Sequence, residues 1–203
     1  MREDRHVVSV RELPDTLDDS TLIGRSLDDP ESFAALFDRH ADEIHRYAAR
    51  RLGPGPADDV TGEVFLVAFR RRARYDRSWS DARPWLYGIA TRVVAQHRRA
   101  ERRRNHALAR MSPERPGTFD ERSADRITAE QLQPRLARAL TRLSAAERDL
   151  LLLVAWADLT YEDAALALGV PVGTVRSRLH RLRVKVRRAL GGNDPFAEEP
   201  QHG

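Results

Sequence analysis

The sequence predicts an all-α protein built as two small helical domains joined by a flexible linker. Apolar residues recur at intervals of three and four along most of the chain, and no stretch alternates apolar and polar residues long enough to insist on a strand. A length of 203 residues accommodates one ordinary domain or two small ones. Between Asn105 and Ala129 the helical pattern fails, with Pro113, Pro116 and Gly117 as breakers and four acids against four Arg. That composition marks a linker. The boundaries read as an N-terminal extension over 1–19, a first domain over 20–104, the linker over 105–129, a second domain over 130–190 and an acidic tail over 191–203. The tail, with its Gly and Pro, is expected to be disordered.

The elements follow in order. A short helix is expected over Ser20 to Ser26. The next is capped by Asp29 and opened by Pro30, with Phe33, Leu36, Phe37, Ile44, Tyr47, Ala48 and Leu52 on one face, and Gly53-Pro54-Gly55-Pro56 ends it. A third helix starts near Pro56, carries Val60, Val64, Phe65, Val67 and Ala68, and runs into the Arg70 to Arg74 cluster. A polar loop from Tyr75 to Arg83 leads to a long helix through Trp85, Leu86, Ile89, Ala90, Val93 and Val94, which continues into the basic segment Arg98 to Arg104. Trp85 reads as core alongside Leu86 and Ile89.

In the second domain Leu132, Leu136, Leu140 and Leu143 share one helix face. Ser144 then caps the following helix while Glu147 reaches back as a capping box, and the Leu150 to Val154 run is expected to be buried. Thr160 and Asp163 repeat that signal for a helix over Tyr161 to Leu168. Gly169 supplies a left-handed stop, and Pro171 suits the first turn of one more helix. Helix, short turn and longer helix is the arrangement that carries a second helix into the DNA major groove.

Charge supports a polyanionic partner. The formal net charge is only +4, and of 35 basic residues Lys185 is the single lysine, a bias expected of a high-GC genome. Met1 to Glu31 holds nine acids and four Arg, net −5, whereas Arg70 to Arg104 holds twelve Arg and three acids, net +9. Thr174 to Leu190 carries six Arg and Lys185 with no acid, net +7. Two separated basic patches point to two contacts with nucleic acid. With no Cys, disulfides and thiolate zinc sites are excluded. The seven His show no ligand spacing, so neither metal nor cofactor is expected. No apolar run approaches the roughly 20 residues that span a bilayer, and no signal peptide is evident, so a cytoplasmic protein without membrane insertion is expected.

On the last helix, Val175, Leu179, Leu182 and Val186 form a core stripe. A turn of about 100° per residue then aims Arg176, Ser177, His180 and Arg181 outward, with Thr174 and Arg178 at the margin. Arg forks fit guanine edges or phosphates, and Ser or His can bond to bases or backbone. Arg183, Lys185, Arg187 and Arg188 add electrostatic attraction.

Three segments resemble region four of extracytoplasmic-function sigma factors. They are Leu143-Ser144-Ala145-Ala146-Glu147-Arg148, Leu159-Thr160-Tyr161-Glu162-Asp163-Ala164-Ala165, and Gly169-Val170-Pro171-Val172-Gly173-Thr174-Val175-Arg176-Ser177-Arg178-Leu179. The first lobe is similar to the same family's region two through Ala57-Asp58-Asp59-Val60, Glu63-Val64-Phe65-Leu66 and Pro84-Trp85-Leu86-Tyr87-Gly88-Ile89-Ala90. The resemblance spans about residues 20 to 190 and implies a region two helical bundle that docks on the β′ clamp helices of core RNA polymerase and opens the minus-ten element of promoter DNA. It implies a region four helix-turn-helix domain that reads the minus-thirty-five element and sits on the β flap. It also implies an anti-sigma factor as an inhibitory partner.

Residue roles follow from that frame and from chemistry. Asp58, Asp59 and Glu63 can pair with a basic coiled coil, and Phe65 and Phe69 add apolar area for polymerase docking. Strand opening needs an aromatic to replace lost stacking and cations for the separated strand. Tyr75, Arg77, Trp79 and Arg83 supply these from the loop, and Arg92, Gln96, Arg98 and Arg99 from the helix that follows. The chain departs from the family pattern at Gly62, where Gln is usual, at Arg92, where Asn is common, and at Gln96, where Asp is common. Two competitors stand beside this reading. One is a conventional helix-turn-helix transcriptional regulator acting without core polymerase. The other is a recombinase or nuclease, disfavoured because Asp58, Asp59 and Glu63 do not converge and no catalytic residue is evident.

Overall fold

The first helix, α1 (Asp19–Arg25), begins where Asp18 accepts a hydrogen bond from the Thr21 amide, at 2.8 Å. This computed structural model describes residues 17–111 and 140–189. Every regular element among them is helical. After α1 a 3-10 turn (Pro30–Phe33) leads into α2 (Ala34–Leu52). Asp29 precedes that turn as expected, but its carboxylate accepts from the Ser32 hydroxyl and caps no backbone amide. The α2 helix stops at Gly53, whose φ of 85° favours a residue without Cβ.

Helix α3 (Ala57–Arg71) carries Asp58 and Asp59 in its first turn and Arg70 and Arg71 in its last, each favoured by the helix dipole. A 3-10 turn (Arg72–Arg74) and the loop through Ala82 join it to α4 (Arg83–Met111). Helix α4 therefore continues past Arg104 into the segment expected to be linker, because Arg-, Ala- and Leu-rich sequence is a good helix former. The rest of the linker, the Leu132 and Leu136 positions, the N-terminal extension as far as Thr16, and the tail lie outside the described residues.

In the second lobe, α5 (Ala145–Ala155) opens with the complete Ser144-Glu147 capping box and α6 (Tyr161–Leu168) with the Thr160-Asp163 box. Gly169 ends α6 in the left-handed region at φ 64° and ψ 39°. Helix α7 (Val172–Ala189) starts one residue after Pro171, whose carbonyl accepts from Thr174 N and Val175 N. The stripe of Val175, Leu179, Leu182 and Val186 is buried as its spacing requires.

The lobes do not stand apart. Leu150, Leu153, Ala157, Ala164, Ala165 and Ala167 of the second lobe belong to the same buried cluster as Tyr47, Tyr87, Ile89 and Val94 of the first. Helices α4 and α6 approach closely at Gly88, where a Cβ would meet the Ala167 carbonyl oxygen at 2.8 Å. Only glycine lets the two backbones come so near.

Candidate nucleic-acid interface

The candidate recognition surface is set by the turn between α6 and α7. With the apolar stripe of α7 committed inward, Arg176, Ser177, His180 and Arg181 are exposed, while Thr174 and Arg178 are half-buried at the margin. The Ser177 hydroxyl donates to Thr174 O at 3.0 Å and Arg181 Nε to Ser177 O at 3.3 Å, which holds both side chains along the helix. Arg176 pairs with Glu162 of α6 at 3.2 Å; both are well over half exposed, so the pair is readily exchanged for another anion. Lys185 donates to both oxygens of Glu147, at 2.8 and 3.1 Å, fastening α7 to the start of α5. The Lys185 ammonium, helped by the Ser144 cap, lowers the Glu147 carboxyl to about 2. Arg183 donates to the Tyr161 hydroxyl at 3.3 Å, so part of the basic face also braces the motif.

The second basic patch surrounds the loop before α4. Tyr75 is buried: its ring packs on Trp85 with centroids 5.0 Å apart, and its hydroxyl donates to the carbonyls of Trp79 and Asp81 at 2.7 and 3.2 Å. It is thus the pin of the loop, and its ring is not offered to a base. Asp76 accepts from Ser78 N at 3.1 Å and Asp81 from Arg83 N at 2.8 Å. These bonds leave Trp79 at the tip, 41% exposed. Arg77 lies against α1, its guanidinium 3.2 Å from where a Gly24 Cβ would stand. Arg92, Gln96 and Arg99 are exposed along α4. Arg98 is half-buried and donates to the Arg51 carbonyl. Arg83 is drawn inward, with Nε 3.2 Å from Glu43 and a second donor on the Ala157 carbonyl of the other lobe.

Residues that local sequence signals did not mark organise this loop. Asp19 is buried at the start of α1; one carboxylate oxygen accepts from Ala82 N at 2.9 Å and from His40 Nε2 at 2.7 Å, the other from Arg39 at 2.6 Å. His40 Nδ1 meets Glu43 at 2.8 Å. Burial would lower the imidazole, but hydrogen bonds to Asp19 and Glu43 overcome it and raise His40 to about 9, so the ring is a cation that donates from both nitrogens. Burial raises Asp19 and Glu43, yet their bonds to His40 and their other partners leave both carboxyls below the usual range. The only local hint was the i, i+3 spacing of His40 and Glu43; the contacts to Asp19 cross between helices.

On α3, Asp58, Asp59 and Glu63 are exposed, with Asp58 3.1 Å from His45 Nε2. The expectation for the aromatic pair is corrected. Phe65 is buried edge-to-face against Phe37, and Phe69 stacks edge-on to Phe33 under the Arg72 guanidinium. The apolar surface beside the acids is Leu66, 47% exposed, and Phe37, 42% exposed. Asp59, Glu63 and Leu66 recur at steps of four and three, one helix face. Gly62 opens on empty space, so a longer side chain would fit there.

Among the described residues no group of His, Asp and Glu could hold a metal ion, and no helix is long and apolar enough to cross a membrane.

Residues 36–104 match the family described as Sigma-70 region 2, and residues 134–186 the family described as Sigma-70, region 4. The chain is 33% identical over 147 residues to the ECF RNA polymerase sigma factor SigL of Mycobacterium tuberculosis, covering 72% of this chain and 81% of that one. Two solved structures share its fold. CnrH in complex with the cytosolic domain of CnrY superposes with a TM-score of 0.61 at 22% identity, over 86% of this chain and 98% of that one. The sigma factor RpoE in complex with the anti-sigma factor NepR, from Bartonella quintana, gives 0.54 at 20% identity, over 79% and 98%.

Proposed function

This chain belongs to the extracytoplasmic-function RNA polymerase sigma factors, the proteins that direct transcription initiation, and from that membership we propose how its residues divide the work. The family places it outside the enzymes and sets aside the conventional regulator acting without polymerase. Helix α7 reads the minus-thirty-five element through Arg176, Ser177, His180 and Arg181, with Thr174 and Arg178 at the edge of the contact. The observation that carries this assignment is the exposed, acid-free face of α7 opposite its buried stripe.

The first lobe docks on the β′ clamp helices through Asp58, Asp59 and Glu63, with Leu66 and Phe37 supplying the apolar area, and the second lobe sits on the β flap. Trp79, held out by the Tyr75-pinned loop, replaces stacking lost when the minus-ten element opens. Arg77, Arg92, Gln96 and Arg99 track the separated strand, joined by Arg83 and Arg98 once these leave their present carbonyl partners. The site of action is the cytoplasm, where polymerase and promoter meet. An anti-sigma factor holds the protein inactive, as NepR is partnered with RpoE.

The test is transcription from a fragmented genomic library by purified chain plus core polymerase of a high-GC bacterium. Start sites sharing two upstream elements at fixed spacing are expected. Tight binding to duplex operator with no factor-dependent starts, in the presence of a working control sigma factor, would reverse the assignment.

A further inference from the structure

The loop that carries Trp79 is tied to the start of α1 in both directions. The Asp19 amide donates to Ser80 O at 3.1 Å, and the Asp19 carboxylate accepts from Ala82 N at 2.9 Å. Trp79 stands immediately before these two bonds. The same carboxylate belongs to a line of alternating charge, in which Arg39, Asp19, His40, Glu43 and Arg83 follow one another at 2.6, 2.7, 2.8 and 3.2 Å. One cluster therefore holds the backbone beside Trp79 and, at its far end, the guanidinium of Arg83, the first residue of α4.

Asp19 and His40 are only 4% and 5% exposed. Well-packed apolar side chains would fill that space without the cost of desolvating charge, so the cluster is a poor source of stability. What it supplies is geometry. Asp19 Oδ2 is shared between Ala82 N and His40 Nε2, and it keeps both partners only while α1, α2 and the loop stand in one register.

We propose that Asp19, His40 and Glu43 are positioning residues for strand opening, setting the height of Trp79 and the direction of Arg83 so that both meet the unstacked strand together. The inference rests on the assignment of Trp79 and Arg83 to the minus-ten element made above. It makes opening depend on the His40 proton. Facing His40 are Asp19 of α1 and Glu43 of α2; behind them stand Arg39 of α2, Arg83 and Tyr87 of α4, and Tyr75 and Asp81 of the loop. The arginines stay charged. Burial, with the charges of Asp19 and Glu43, pushes the Tyr75 and Tyr87 phenols up, so both stay neutral. Burial works against the imidazolium, but the bonds to Asp19 and Glu43 outweigh it and raise His40 to about 9. His40 is thus the member of the cluster that changes charge as pH rises above neutrality. A neutral ring has one N–H, so losing the proton removes the donor to either Asp19 or Glu43.

The test uses the full chain with core polymerase and a promoter fragment recovered from the genomic library, with 2-aminopurine in its minus-ten element to report opening. Asp19→Asn keeps an oxygen for Ala82 N but removes the charge that holds the His40 proton. His40→Gln keeps a polar side chain but loses the cation. At neutral pH both variants should open the promoter about tenfold more slowly, with core association unchanged. Hydrogen exchange over Trp79 to Ala82 in the free protein should quicken by a similar factor. Wild-type opening, normalised to another sigma factor on the same core, should fall as pH rises through about 9. Asp19→Asn should move that midpoint down, and His40→Gln should abolish it. A role in folding alone would lower opening and core association together, in proportion to the folded fraction read by circular dichroism. That result, wild-type opening by the folded variants, or a wild-type pH profile that follows the control would overturn the proposal. Should Asp19→Asn fail to fold, His40→Gln and the wild-type profile decide the matter. A wild type that gives no factor-dependent starts would instead overturn the division of labour beneath it, a separable result because the exchange measurement needs no polymerase.

Discussion

Arg51 Nε and Asp149 Oδ1 meet at 2.7 Å across the two lobes, with the Arg51 side chain 2% and the Asp149 side chain 14% exposed. Removing one partner of so buried a pair leaves the other unpaired, which costs more than the pair contributes. Arg51→Ala is therefore expected to destabilise the protein by about 3 kcal/mol. It should also split one calorimetric transition into two, as the lobes cease to unfold together. Arg51→Lys keeps the charge but cannot reach both Asp149 and the Ala145 carbonyl with a planar fork, so it should recover only part of the loss. A single transition at the wild-type temperature in Arg51→Ala would show the lobes to be energetically independent.

The His40 network gives the first lobe a specific pH dependence. Its pKa rises from 6.5 to about 9 on folding, so the folded state binds the proton more tightly than the unfolded state. The stabilisation is complete below pH 6.5 and is lost as pH rises through about 9. Asp19 and Glu43 are shifted the opposite way, so their contribution is present above the ordinary carboxylate range and lost as pH falls below it. Stability of the first lobe should peak near pH 5.5 to 6.5 and fall by about 2 kcal/mol toward pH 9.5. Urea melts at pH 6, 7.5 and 9.5 measure this. His40→Gln should flatten the alkaline limb, and an unchanged limb would place the titration elsewhere.

Much of the fold is readable because it is written in signals whose steps are four residues or shorter. The Ser144-Glu147 and Thr160-Asp163 boxes, the Gly169 stop and the α7 stripe are local, and each stands where spacing put it. Contacts between distant positions are not written that way. Asp19 bonds to Ala82 63 positions away and Asp149 to Tyr47 102 positions away, and nothing local in Asp19 or Asp149 marks them as more than surface acids. The same limit misdirected Tyr75 and Phe65. Residue type marks Tyr75, Trp79 and Phe65 alike as aromatic surface, whereas tertiary packing exposes only Trp79 of the three, uses Tyr75 and Phe65 as interior props, and leaves Phe37 and Leu66 exposed instead.

Arg176 separates base reading from phosphate holding. Its ion pair with Glu162 is between two well-exposed groups and contributes little to folding. Arg176→Ala should leave the melting temperature within a degree or two while weakening polymerase-dependent binding to upstream promoter DNA by about 1–3 kcal/mol. A loss confined to one base-pair position, found by comparing single-site promoter variants, assigns it to that base. A loss equal across all variants assigns it to the backbone.

Trp79 and Tyr75 test different parts of strand opening. The Trp79 ring is exposed, and its backbone is held from below by the Tyr75 hydroxyl, by Asp76 and by the bonds of Asp19 to Ser80 and Ala82. Trp79→Ala therefore removes a stacking surface without releasing the loop. A base stacked on an aromatic contributes about 1–3 kcal/mol, so open-complex formation should fall roughly tenfold or more while association with core polymerase is unchanged. Tyr75→Phe keeps the ring packed on Trp85 but frees the Trp79 and Asp81 carbonyls, so it should lower opening by loosening the loop rather than by losing the platform. Fluorescence of 2-aminopurine placed in the minus-ten element distinguishes the two. Trp79→Ala should lower the amplitude at every temperature, whereas Tyr75→Phe should approach wild type as cooling restores loop order. Wild-type opening by Trp79→Ala would move the stacking platform to another part of the first lobe.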